Sequence, residues 1–220
     1  MEESQASLGV IQYSVQFIQD SGFFGYVIVL VWGVGLAICV ERFRKIAMKF
    51  DVDGPSLMNE LQRYILSNDI QGAIRVCSGS VSALAKVLKS GLKRANQTPE
   101  QVQNAIDATS LEVIPKVEKR LSHLNLISNL LTLFGLLGTI QGLILAFAAV
   151  SQADPEQKAE ILASGIALAM NTTAMGLVGA ITIMIGHAYL ASKSEKIINE
   201  IDEYSVKLMD LLQTKKVDLD

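Results

Sequence analysis

Polar side chains that could bind ions or water lie inside otherwise apolar stretches of this sequence. Among them are four threonine hydroxyls and one amide, contributed by Thr132, Thr139, Asn171, Thr172 and Thr173. Hydroxyl and amide oxygens accept hydrogen bonds from water and can coordinate cations, but hydroxyls do not release protons near neutral pH. These five residues are therefore candidates for lining an ion pathway.

Three charge-free stretches must position these side chains. Residues 22–40, 124–150 and 161–192 contain no Asp, Glu, Lys or Arg. A helix of about 20 apolar residues crosses a hydrocarbon core of roughly 30 Å. The sequence therefore predicts an all-α integral membrane protein with three transmembrane helices. The second and third stretches exceed that length, which predicts long cytoplasmic helical extensions.

The charges beside the spans predict their direction. Basic residues follow the first span, precede the second and follow the third, at Arg42, Arg44, Lys45, Lys49, Lys116, Lys119, Arg120, Lys193 and Lys196. Such residues favour the cytoplasmic side, so we expect the N-terminus outside and the C-terminus inside. The predicted segments are a periplasmic N-terminus with an amphipathic interfacial helix (1–21), the spans (22–40, 124–150, 161–192), a cytoplasmic helical region (41–123), a periplasmic loop (151–160) and a cytoplasmic C-terminal helix (193–220).

Two of the threonines are predicted to reach the same depth. Thr139 lies roughly 20 Å inside the second span, and Thr173 lies roughly 18 Å from the outer end of the third, at 1.5 Å per residue. Because the short connector makes these spans antiparallel, Thr139 and Thr173 could face one lumen together with Asn171 and Thr172, which adjoin Thr173. Thr132 lies two turns from Thr139 on nearly the same face and could belong to the same cluster. Membrane threonines also bond back to their own helix, and this interpretation is favoured for Thr132 as a packing residue. The amide of Asn171 has hydrogen-bonding capacity that lipid cannot satisfy.

Glycines form a smooth stripe on each of the last two spans. Gly135, Gly138 and Gly142 share one face of the second span, while Gly165, Gly176 and Gly179 share one face of the third. Small residues let membrane helices approach closely. The stripes predict helix packing, either within one chain or around a common pathway.

The cytoplasmic region is expected to contain short helices with interruptions at 53–55 and 78–80. Thr98 to Gln101 reads as an N-cap, a helix-starting proline and a capping-box glutamine. We expect that helix to continue into the second span. The tail after residue 193 is expected to continue the third helix.

Several functional classes are disfavoured. The net charge of −3 includes no basic block that could follow a nucleic-acid backbone. Enzymatic activity has little support, because the sequence has no nucleophile–base pair, phosphate loop or metal-ligand cluster. No cofactor is expected, and Cys39 and Cys77 are interpreted as packing residues. The acidic N-terminus argues against a cleaved signal peptide, so the first span is expected to stay in the mature protein.

Residues 135–147, GLLGTIQGLILAF, resemble the second-span signature of ExbB and TolQ proteins. Residues 165–181, GIALAMNTTAMGLVGAI, are similar to the third-span segment, and VEKRLSHL before the second span resembles the usual lead-in. The sequence thus resembles the MotA/TolQ/ExbB proton channel family, and specifically its biopolymer-transport members.

This resemblance implies a homopentameric ring in the bacterial inner membrane that surrounds a dimer of ExbD/TolR/MotB-like single-span proteins. Ion flow would drive rotation and supply mechanical work for envelope transport or integrity, with a TonB/TolA-like periplasm-spanning protein as a further partner. The spans lack any carboxylate, and a relay of protons needs an ionisable group. The resemblance implies that the partner contributes an aspartate opposite Thr139 and Thr173.

The sequence departs from the family pattern at three positions. Leu168 replaces a glutamate, Thr132 replaces a proline, and the Thr172–Thr173 pair resembles the doublet of sodium-driven flagellar stators. The transported ion is therefore either H⁺ or Na⁺, with Thr172 and Thr173 as the candidate Na⁺ ligands. Two alternative functions are a flagellar-type stator subunit and a passive membrane scaffold.

Overall fold

The computed structural model describes residue 18, residues 21–46 and residues 53–217, and this part of the chain is helical without strands. The predicted interfacial helix lies almost entirely outside the described residues. The helices are α1 (Gly22–Lys45), α2 (Gly54–Leu66), α3 (Ile70–Gly79), α4 (Ala83–Leu92), α5 (Pro99–Glu118), α6 (Leu121–Gln152) and α7 (Lys158–Val217).

Three of these helices are long and apolar enough to cross a membrane, as expected. They are α1, α6 and α7, and α7 runs for 60 residues without interruption into the C-terminal tail. The chain divides into two compact units. We call the described residues up to Cys39 together with Ser122–His187 the span unit, and Val40–Leu121 together with the described residues from Ala188 the extension unit.

The contact between α6 and α7 in the span unit depends on glycine. A Cβ atom on Gly135 would lie 3.3 Å from the Cα atoms of Gly176 and Thr173, and one on Gly142 would lie 3.1 Å from the Ala169 Cβ. The two backbones therefore approach more closely than larger side chains would allow. Gly138 and Gly165 lie in the same contact, against Thr172 and Ala146, whereas Gly179 has looser contacts with Leu131 and Trp32.

Helix α1 packs on both of the other spanning helices. A Cβ atom on Gly35 would lie 2.9 Å from side-chain atoms of both Ile127 and Ile183. The Trp32 indole donates a hydrogen bond of 2.8 Å to the Thr182 hydroxyl on α7. Helix α1 thus contacts both α6 and α7, and it contributes one of the polar contacts within the spans.

The extension unit has a separate apolar core, formed by helices α2 to α5 and the C-terminal part of α7. Fully buried side chains at its centre include Leu61, Ile65, Leu84, Leu88, Leu92, Ile106 and Leu208. The predicted capping box at Thr98 is confirmed. The backbone N–H of Gln101 donates to the Thr98 hydroxyl, and the backbone N–H of Thr98 donates to the side-chain oxygen of Gln101. Asp53 immediately precedes α2 and Gly79 is the last residue of α3, so the two expected interruptions mark helix ends.

The expected continuous helix from Pro99 into the second span is interrupted at Lys119 and Arg120. The backbone of Arg120 has φ of 66°, which ends α5, and its guanidinium pairs with Glu41 at 2.5 Å. Arg42, which is buried, donates to the carbonyl oxygens of Lys116 and Val117. These are last-turn carbonyls that no helical amide can reach. Tertiary contacts from the end of α1 therefore stabilise the break.

A candidate ion pathway at the hydroxyl pair of α6 and α7

The hydroxyl groups of Thr139 and Thr173 contact each other across the α6–α7 packing surface. Their Oγ1 atoms are 2.5 Å apart. Both hydroxyls also lie within hydrogen-bond distance of the Gly135 carbonyl oxygen, at 3.1 Å from Thr139 and 3.0 Å from Thr173. The two threonines that were predicted to share one depth therefore form one polar site with a backbone carbonyl.

Hydrogen accounting shows that this site is not saturated. Two hydroxyls supply two hydrogens, but the site has three short oxygen–oxygen contacts. At any moment one hydroxyl donates its hydrogen to the Gly135 carbonyl, and the other hydroxyl donates to its threonine partner. Lone pairs on the two hydroxyls remain as acceptors, and both side chains are only half-buried in the single chain. An incoming donor or cation can therefore reach these oxygens.

Close helix packing is what creates this site. Because Gly135 has no side chain, the Thr173 backbone passes within van der Waals distance of it, so the Gly135 carbonyl is available to a hydroxyl of the other helix. Elsewhere in the same packing surface, the Ser128 hydroxyl donates to the Ala180 carbonyl at 3.1 Å. The sequence interpretation missed Ser128 and the Gly135 carbonyl, since neither a serine nor a backbone oxygen stands out in an apolar stretch.

Thr172 occupies a different environment from its neighbour Thr173. Its side chain is fully buried, and its hydroxyl donates to the Leu168 carbonyl at 2.8 Å, with the Ser21 carbonyl 3.3 Å away. Its methyl group lies against Gly138 of α6. Within one chain, Thr172 and Thr173 therefore have separate oxygen partners and do not form a two-hydroxyl ion site.

The other two predicted pathway residues do not join the hydroxyl pair. Asn171 is two residues from Thr173, which places it about 200° round the helix at roughly 100° per residue. Thr132 lies two turns from Thr139 on nearly the same face, is exposed, and donates to the Ser128 carbonyl of its own helix at 3.3 Å. Thr132 could thus extend the path along α6, whereas Asn171 faces another direction.

The site can bind ions or polar hydrogens but cannot complete a proton relay by itself. Threonine hydroxyls neither gain nor lose protons near neutral pH, and the three charge-free stretches contain no carboxylate or amine. The span segments that the structure describes therefore offer hydrogen-bond acceptors and donors without a titrating acid.

Comparison with known proteins identifies the family. The model of the MotA/TolQ/ExbB proton channel family matches residues 80–203, which are 124 of the 220 residues. This chain belongs to the MotA/TolQ/ExbB proton channel family. The matched range in this family member includes all of α6, which carries Thr139, and the part of α7 that carries Thr173.

One curated protein and one solved structure are similar to this chain. A protein from Methanothermobacter thermautotrophicus, described as a biopolymer transport protein ExbB homolog, is 22% identical over 189 residues. That alignment covers 86% of this family member and 66% of the relative, so the chain spans just under two thirds of the relative's length. The solved structure of C. jejuni MotAB has a similar fold, with a TM-score of 0.63, 14% identity, and coverage of 94% and 85%.

Proposed function

We propose that this protein is the ring subunit of an ion-driven motor in the bacterial inner membrane. Five copies surround a dimer of single-span partners of the ExbD, TolR or MotB kind, with the N-terminus outside and the C-terminus inside. Ion-motive force is converted into work on the cell envelope through a periplasm-spanning partner of the TonB or TolA kind. Membership of the proton channel family supports the ion-conducting part of this proposal.

One observation carries the proposal. The Thr139 and Thr173 hydroxyls and the Gly135 carbonyl form a half-buried polar site within the charge-free stretches of α6 and α7. Such a site has little use in a passive scaffold, because the glycine contacts already hold α6 and α7 together. It has a use if an aspartate of the partner stands opposite the hydroxyls and carries the ion.

The proposed ion is H⁺, which the description of the family as a proton channel family supports. A sodium site built on the Thr172–Thr173 doublet would need both of its hydroxyl oxygens to converge on one cation. Thr172 and Thr173 instead direct their hydroxyls to separate partners, and the Thr172 hydroxyl is already bonded to Leu168. We therefore expect Thr172→Ala to leave the ion dependence of the motor unchanged. Loss of function in sodium-free medium would favour Na⁺ instead.

The test is ion flux through the complex of this chain with its single-span partner, whose gene we expect to be adjacent. Thr173→Val keeps the shape but removes the hydroxyl. A hydrogen bond to a charged group contributes about 1.5–3 kcal/mol, so flux should fall by roughly 10- to 150-fold. The control is Thr109→Val, the same substitution at a hydroxyl that donates to the Ala105 carbonyl of its own helix and lies in the extension unit.

Two results would contradict the proposal. Normal flux in Thr173→Val would remove the pathway role of the hydroxyl pair. Strong flux through rings that lack the single-span partner would show that the chain carries ions without a foreign acid. A complex that assembles with flagellar rather than envelope proteins would favour the flagellar stator alternative, for which the fold of C. jejuni MotAB provides the structural precedent.

A further inference from the structure

Two side-chain amides lie at mid-depth of the spanning helices and have no role in the hydroxyl pair. Asn171 of α7 is half-buried and Gln141 of α6 is exposed. Within the part of the chain that the structure describes, neither amide has a hydrogen-bond partner. An amide has four hydrogen-bonding positions and hydrocarbon satisfies none of them, so both side chains need polar partners.

Both amides point away from the α6–α7 contact of their own chain. On α7, Asn171 is two residues from Ala169 and five from Gly176, the residues that contact α6. These spacings place it about 140–160° from that contact, at roughly 100° per residue. On α6, Gln141 is similarly about 100–120° from Gly142 and Gly135. Neither amide can therefore reach the other within one chain.

The antiparallel register places the two amides at nearly the same level. Gly142 lies against Ala169 and Gly135 against Gly176, so each step forward along α6 matches one step back along α7. Asn171 is then level with Ile140, and Gln141 is one residue away, or about 1.5 Å along the axis. Rotation about an axis parallel to the helices preserves this level in every copy of a ring.

We propose that Asn171 of one copy hydrogen-bonds to Gln141 of the next copy and thereby fixes the contact between neighbouring subunits in the membrane. This inference rests on the proposed ring. In a closed ring each copy contacts its neighbour through two different surfaces. Asn171 on α7 and Gln141 on α6 are unlike amides on different helices of the pair, so each can belong to one of these two surfaces. Exposed small residues beside Asn171, namely Ser164, Ala167 and Ala174, allow a neighbouring helix to approach closely.

Cysteine cross-linking tests the contact directly. The chain contains only two cysteines, so the background carries Cys39→Ala and Cys77→Ala. Asn171→Cys and Gln141→Cys are then combined in one chain and oxidised in the membrane. We expect a ladder of disulfide-linked species up to the full ring, whereas each cysteine alone gives monomer.

A control pair replaces Gln141→Cys by Phe147→Cys, which is also exposed on α6 but lies about 9 Å farther along the axis on another face. This pair should give no ladder. An equal ladder from the control pair, or no ladder from the test pair while native mass spectrometry shows an intact ring, overturns the amide contact but leaves the ring standing. Monomers in native mass spectrometry overturn both the ring and the contact.

A double-mutant cycle gives an independent measure. Asn171→Leu and Gln141→Leu each leave one amide without its partner, so each should lower the detergent concentration at which the ring dissociates. The double variant leaves no unsatisfied amide. Its ring should therefore dissociate no more easily than the ring of the less stable single variant. Strictly additive effects would show that the two amides do not contact each other.

Discussion

The substitution Gly176→Ala tests whether backbone contact between α6 and α7 creates the hydroxyl site. A Cβ atom at this position would lie 2.6 Å from the Leu131 carbonyl oxygen and 2.9 Å from the Gly135 Cα. Ordinary contact begins near 3.4 Å, so the helices must separate by up to about 0.8 Å. Both obstacles are backbone atoms, which cannot move aside by changing a side-chain rotamer.

The expected cost follows from this overlap. Inserting a methyl group into a tightly packed contact costs about 1–3 kcal/mol. The separation also acts next to the Thr139–Thr173 pair, whose oxygens are already at 2.5 Å and depend on the Gly135 carbonyl. Gly176→Ala should therefore lower both the stability of the protein in detergent and the ion flux of the complex.

Gly179→Ala is the matched control, because it lies one turn away on the same helix. Its Cβ would meet only side chains, at 3.4 Å or more, so stability should stay the same or rise by up to about 1 kcal/mol through better helix propensity. Stability is measured by denaturant titration in detergent, and flux is measured in proteoliposomes. If Gly176→Ala matches Gly179→Ala in both assays, the contact is not as tight as described and the reasoning fails.

Three further outcomes are expected, each measurable on the purified protein. Arg42→Gln should destabilise the extension unit by about 2–4 kcal/mol in thermal unfolding because it leaves buried carbonyls unpaired, while exposed Arg44→Gln should change stability by less than about 0.5 kcal/mol. Thr98→Ala should cost about 1 kcal/mol through loss of the capping box, measured in the same way. Burial raises the pKa of the Cys77 thiol to about 11. In a Cys39→Ala background, alkylation of Cys77 at about pH 8 should therefore be far slower than alkylation of a free cysteine, and rapid alkylation of the folded protein would contradict this. Because the unfolded thiol ionises at a lower pH than the folded one, the folded state should lose stability as the pH rises from about 9 to 11.

The elements that depend on local sequence were predictable. Long runs without charge predict the three spanning helices directly, because so many consecutive apolar residues are typical of helices that cross a membrane and not of soluble folds. The capping box at Thr98 was equally clear, since its hydrogen bonds join residues only three positions apart. The pairing of Thr139 with Thr173 followed from depth alone, because two antiparallel helices with a short connector have few registers.

The features that depend on tertiary contacts were not predictable. Arg120 adopts a positive φ although it is not glycine, and nothing in the local sequence signals this. Its conformation is stabilised by Glu41, which is 79 positions away. Likewise, adjacency in the sequence suggested that Asn171, Thr172 and Thr173 act together, but successive residues of a helix face different directions. The structure gives each of the three a different environment.

The shared carbonyl at the hydroxyl pair has a consequence for any acid that approaches it. An ionised carboxylate needs a donor, and one threonine can turn its hydrogen outward while the other keeps the Gly135 oxygen satisfied. A neutral carboxylic acid needs an acceptor, and the same hydroxyl then offers a lone pair instead. Rotation of one hydroxyl about its C–O bond converts between these arrangements. The pair can therefore hydrogen-bond an acid both before and after it has lost its proton, but the ionised form takes the hydrogen that joins Thr139 to Thr173.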